Sequence, residues 1–128
     1  MTILIQVSPG ELIDKMTILE VKLDHMSDPA KLANVRREHD MIKQTFRDNV
    51  ADTPTLAKLI VELKATNLAL WTIEDDIRDH ERKGNFGESF VALARSVYRT
   101  NDQRSAIKRR INILLDSAIV EEKSYSNY

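Results

Sequence analysis

Cysteine is absent from the 128 residues. A disulfide framework and thiolate chemistry are both excluded, which suits a reducing compartment. Glycine and proline are scarce, with three of each, and that scarcity favours long helices with few turns over a sheet-rich fold. There is no Gly-rich phosphate loop and no Gly-x-Ser-x-Gly elbow, so nucleophilic catalysis of the familiar kinds has little support. No apolar run approaches the roughly 20 residues that a membrane span needs. The opening MTILIQVSPGE carries no Lys or Arg before its short apolar run, unlike a signal peptide. An excess of one charge is missing too. The net charge is -1, which gives no general steering toward nucleic acid or anionic lipid. The expectation is a cytoplasmic protein with no membrane partner.

What is present suits one globular domain over residues 1–128. A hydrophobic fraction of 42% beside 30% charge is the balance of a soluble chain with a single core. Three helix starts punctuate it. Ser8-Pro9-Gly10-Glu11 offers an N-cap serine, a proline in the first turn and a glutamate that completes a capping box. Asp28-Pro29 and Thr53-Pro54 repeat the form. The first helix is expected to reach about Met26, with Leu12, Met16, Leu19, Leu23 and Met26 as its core stripe. The second spans roughly residues 29–50, with a thin stripe of Leu32, Val35, Ile42 and Phe46. The third runs from Pro54 to Lys83 and stops at Gly84. A short fourth helix follows from about Glu88 to Tyr98. A second capping box at Thr100-Asn101-Asp102-Gln103 then opens a fifth that reaches about Ala118. Thr2 to Val7 alternates with Ile3, Ile5 and Val7 on one side and reads as a short strand in need of a partner. The fold class is therefore all-α, a helical bundle of about five helices with a short N-terminal strand.

The stretch from Leu63 to Glu81 is the expected spine. Leu63, Asn67, Leu70, Glu74, Ile77 and Glu81 recur at spacings of four and three and share one helix face. An amide and two carboxylates on a packing seam call for partners or a ligand, because an unpaired buried charge costs several kcal/mol.

The blocks SPGELIDKMTILEVKL, LWTIEDDIRDHE, FVALARSVYRTNDQRSAIKRRIN and EEKSY resemble, taken together, a family of small bacterial and phage proteins catalogued as a domain of unknown function. The resemblance covers most of the chain. Genes of that family often lie near surface-polysaccharide and glycosyltransferase genes, which implies sugar or nucleotide-sugar chemistry by association. The resemblance implies no activity for individual residues.

Several constellations offer chemistry. Ser8, Gly10 and the free N–H groups after them form a helix N-terminus that would welcome a phosphate, with Lys15 in reach. The plain alternative is a capping box, and Glu11 would repel an anion. Trp71, beside Glu74 and Arg78, offers a flat surface for a base or sugar ring, while Glu74 and Arg78 also have the spacing of an intrahelical ion pair. Arg104, Lys108 and Asn112 line one stripe, with Asn101 and Asp102 just before it. Against the Glu11/Lys15/Lys22 stripe and Glu74 they would build a mixed-charge pocket, or else an interlocked salt-bridge network. The basic run Arg95, Arg99, Arg104, Lys108, Arg109 and Arg110 raises a nucleic-acid reading, which the acidic balance of the chain weighs against. Asp76 and His80, four apart, are weak metal candidates.

The leading expectation is a small-ligand-binding protein for a phosphorylated sugar, nucleotide or nucleotide sugar. Its pocket would draw on Ser8, Gly10, Glu11, Lys15, Trp71, Glu74, Arg78, Asn101, Asp102, Arg104, Lys108 and Asn112, with Tyr125 folding over it. The first alternative is an enzyme on a similar substrate, with Glu74 as metal ligand or general base and Mg or Mn as cofactor. The second is an adaptor that docks on a glycosyltransferase or other protein through the second helix. The thin stripe of that helix and the unpaired strand both suggest a homodimer.

Overall fold

The computed structural model describes residues 1–128 and contains four helices. They are α1 (Pro9–His25), α2 (Pro29–Asn49), α3 (Pro54–Lys83) and α4 (Glu88–Leu114). The three proline starts fall where the caps put them. The Ser8 hydroxyl accepts from the Glu11 N–H at 3.2 Å, Asp28 accepts from the N–H groups of Ala30 and Lys31, and Thr53 accepts from that of Leu56. Each cap satisfies donors that a helix start leaves orphaned. At the far end of α3, Gly84 takes φ 67, the left-handed conformation that lets the chain turn into α4.

Two expectations fail. The fourth and fifth helices are one. Thr100-Asn101-Asp102-Gln103 lies inside α4, which runs unbroken for 27 residues. The capping-box pattern does not break the helix because neither Gly nor Pro stands within it, and the continuous face of α3 gives both halves of α4 the same partner. The predicted strand is also absent. Residues 1–7 are exposed, and no backbone hydrogen bond reaches them. A lone strand has no ladder to join, and nothing else in the chain forms one.

The spine is α1. It packs against α2, α3 and α4, whereas α3 and α4 pair as an antiparallel hairpin and α2 lies along α1. Ile13 and Met16 of α1 meet Leu56 and Leu63 of α3, Ile107 and Ile111 of α4, and Phe46 of α2 in a single core. The expected seam on α3 is only half realised. Leu63 and Asn67 are buried, but Glu74 and Glu81 are exposed. The reason is length. The 17-residue α1 ends at His25, beside Trp71, so the last turns of α3 have only α4 to pack on. The hairpin tip thus projects beyond the shared core.

The chain after α4 has no regular structure, yet it folds back along that helix. Glu121 and Glu122 meet Lys108 and Arg109, Lys123 lies 3.9 Å from Asp102, and Tyr128 packs on Tyr98. A hydrogen bond from the Tyr128 hydroxyl to Asp102 holds that phenol above its ordinary range. No helix is long and apolar enough to cross a membrane.

Candidate functional site

A buried polar knot anchors α1 to α3. Gly10, Asp14, Thr17 and Val21 follow each other at spacings of four, three and four, so they share one face of α1, and all four are buried. The Asn67 amide donates from Nδ2 to the Asp14 carboxylate at 2.9 Å and to the Thr17 hydroxyl at 3.0 Å. Thr17 in turn donates to the Asp14 carbonyl. With both amide hydrogens committed, the Asn67 oxygen must face the other way. It accepts from Arg104 Nη1 at 3.4 Å.

Arg104 opens onto a cleft of about 600 Å³ between the upper part of α1 and the α3/α4 hairpin. Ile18 and Val21 supply one wall. Asn67, Leu70, Trp71 and the charged side chains Glu74, Asp75 and Arg78 come from α3, and Val97, Asn101 and Arg104 from α4. Trp71 is half-buried, with its ring 6.1 Å from that of His25. His25 is held by donation from Nδ1 to the Val21 carbonyl. On the rim Glu74 pairs with Arg78 one turn along α3, the favourable order for a helix-surface ion pair. Arg104 is the one half-buried arginine of α4, and like the exposed Arg95 and Arg99 it has no carboxylate partner. Arg78, Lys108, Arg109 and Arg110 each have a carboxylate within salt-bridge distance. Arg104 has none, and its charge enters the cleft held only by an amide.

Below the knot the helices close. Asn112 of α4 accepts the Gly10 N–H at 2.8 Å. A Cβ at Gly10 would lie 2.7 Å from the Lys108 carbonyl and 2.8 Å from the Asn112 oxygen, so only glycine permits this approach. Lys108 Nζ reaches Glu11 at 2.8 Å, Glu121 at 3.1 Å and Asp14 at 3.8 Å. Burial pulls the Lys108 ammonium down, but its hydrogen bonds to Glu11 and Glu121 and the charge of Asp14 outweigh that and raise it above the ordinary lysine range. The cavity left here is only about 20 Å³.

The residues singled out from the sequence therefore separate into groups. Trp71, Glu74, Arg78, Asn101 and Arg104 come together around the cleft. Ser8, Gly10, Glu11, Lys108 and Asn112 form the closed lock at the start of α1, where the N–H groups of Gly10 and Glu11 already have partners within the chain. Lys15 faces the other way and pairs with Glu38 of α2 at 3.6 Å. Asp102 and Tyr125 line a separate hollow formed by the C-terminal segment, and Tyr125 does not cover the cleft. Asp76 and His80 serve the hairpin: His80 bonds the Asp76 carbonyl at 2.8 Å and the Ser89 hydroxyl at 3.0 Å. No group of three or more His, Cys, Asp or Glu side chains is placed to hold a metal ion.

Sequence reasoning missed Thr17, Val21 and Ile18 as site residues and assigned Asp14 no place in the knot. The signal was present in the small and polar stripe Gly10-Asp14-Thr17-Val21, which sits beside the larger apolar stripe and is easily passed over.

No curated protein and no solved structure matches the chain. The family comparison covers almost the whole of it, from residue 3 to residue 128. The protein that carries this cleft belongs to a family of unknown function, DUF6165.

Proposed function

We propose that the chain is a small-ligand-binding protein and that its cleft takes a phosphorylated sugar, nucleotide or nucleotide sugar. The observation that carries this reading is the uncompensated Arg104. A half-buried guanidinium without a carboxylate favours an anion, since desolvated charge is costly until paired. Its planar fork suits two phosphate oxygens at once. Asn67, locked by Asp14 and Thr17, orients that fork before any ligand arrives. Trp71 offers a ring face for a base or sugar, and Asn101 and Glu74 offer hydrogen bonds to hydroxyls. A volume of about 600 Å³ is in the range of small-ligand clefts.

The test is thermal unfolding against a panel of nucleotides, sugar phosphates and nucleotide sugars, with and without magnesium or manganese. A ligand at 100 times its Kd adds about 2.7 kcal/mol to stability, a rise in Tm that a melting curve resolves. Arg104→Gln is expected to abolish the rise, and Trp71→Leu to weaken it. A panel that leaves Tm unchanged throughout would overturn the reading. Turnover of the bound compound would place the protein among enzymes rather than binders.

A further inference from the structure

Residues 1–7 are the least explained part of the molecule. Ile3, Leu4 and Ile5 are 75%, 96% and 77% exposed. None of the backbone groups of the segment is bonded to another part of the chain. Strand alternation would put Ile3, Ile5 and Val7 on one side of the segment. A surface rarely leaves aliphatic side chains together without a use for them.

The end of the bundle from which this segment leaves is itself apolar. Gly10 is bonded to Asn112, so the start of α1 and the end of α4 lie together. The next residues of α4, Ile113 and Leu114, are exposed, as are Ile119 and Val120 just beyond it. With Ile3, Leu4, Ile5 and Val7 these side chains leave aliphatic surface exposed where the chain enters α1 and where it leaves α4.

We propose that this end of the molecule is an interface for a second copy of the chain, in which residues 2–7 of the two copies pair as antiparallel strands about a two-fold axis. The segment is complementary to itself. An antiparallel pair places directly opposed side chains on the same face, so β-branched odd positions meet their own kind when Leu4 or Ile5 lies opposite itself. Pairing satisfies the unbonded backbone groups of both copies at once. A two-stranded ribbon alone is marginal in water. Here Ile113 and Leu114 at the base of each bundle provide the apolar surface on which the Ile3/Ile5/Val7 face rests. Because the same patch serves both copies, the assembly closes as a dimer.

The absence of cysteine makes the test clean. Sedimentation equilibrium of the full chain is expected to give a dimer, and Ile3→Lys with Ile5→Lys a monomer with unchanged helical circular dichroism and unchanged thermal unfolding at low concentration. Single-cysteine variants Leu4→Cys and Ile5→Cys, oxidised mildly, are expected to give a covalent dimer for whichever residue sits on the axis. The exposed control Met41→Cys on α2 is expected to give none. A monomer at every concentration would overturn the proposal. So would a dimer that survives both lysines, or one in which neither cysteine cross-links above the control.

Discussion

Asn67 and Asp14 stand 53 positions apart in the chain and share a 2.9 Å hydrogen bond in its buried interior. The carboxylate has almost no access to solvent and depends on this donor and on Lys108, whose Nζ lies 3.8 Å away. One amide thus supports the junction of α1 with α3 and also aims Arg104 into the cleft.

Asn67→Ala would leave the Asp14 carboxylate without its closest donor. A loss of about 1–3 kcal/mol is expected, the range for a buried polar group deprived of its partner. Asp14→Asn keeps the shape, removes the charge, and is expected to cost less. Denaturant unfolding of the three proteins checks the order. Asn67→Ala should also weaken any ligand that Arg104 holds, by loosening the guanidinium.

Gly10→Ala places a methyl group against the Lys108 carbonyl and the Asn112 amide. Both belong to α4, so the helices must separate. The expected loss is about 1–3 kcal/mol, the usual penalty of overpacking. Asn112→Ala removes the same hydrogen bond from the other side. The double variant is expected to lose less than the sum of the two, because the sites share one contact.

Phe46 is the one buried residue of α2. Phe46→Ala is expected to cost about 3–5 kcal/mol and to raise amide exchange across α2 before the other helices. Lys15→Ala removes only an exposed ion pair with Glu38, and a change of at most about 0.5 kcal/mol is expected. Hydrogen exchange resolved by helix distinguishes the two.

Lys108 provides a pH signature. Its folded-state pKa is raised above the ordinary lysine value because Glu11, Glu121 and Asp14 outweigh its burial. A raised basic group contributes stability that is fully present below its unfolded pKa and lost as pH rises through the folded one. The stability difference between the wild type and Lys108→Met should therefore be flat from about pH 7 to about pH 9. It should then shrink as the pH rises through the ordinary lysine range and beyond it. A difference that instead vanished near neutrality would show that the Lys108 cluster does not act through its charge.

Much of this architecture is local in origin. Ser8, Asp28 and Thr53 each cap the backbone two or three residues ahead, and each is followed by a proline that suits a first helical turn. Those interactions are complete within four residues, so the three helix starts are legible in the sequence, as is the stop at Gly84. The 4-3-4 spacing of α3 likewise marks Leu63 and Asn67 as inward-facing. The amino acid pattern alone thus determines a mainly helical chain and its three proline-marked helix starts.

The tertiary structure decided the rest, because the remaining choices depend on what lies opposite. Thr100-Asn101-Asp102-Gln103 has the pattern of a helix start, but α3 lies alongside its whole length and the helix continues. Glu74 and Glu81 share a helical face with Asn67, yet they are exposed because α1 stops at His25. Arg104, Lys108 and Asn112 form one stripe, yet each meets a different level of the bundle: an open cleft, a cluster of carboxylates and a glycine N–H. Periodicity says which residues share a face. Only the lengths and packing of neighbouring helices decide whether that face meets protein or solvent, and here they separate a closed polar lock from an open cleft one helical turn above it.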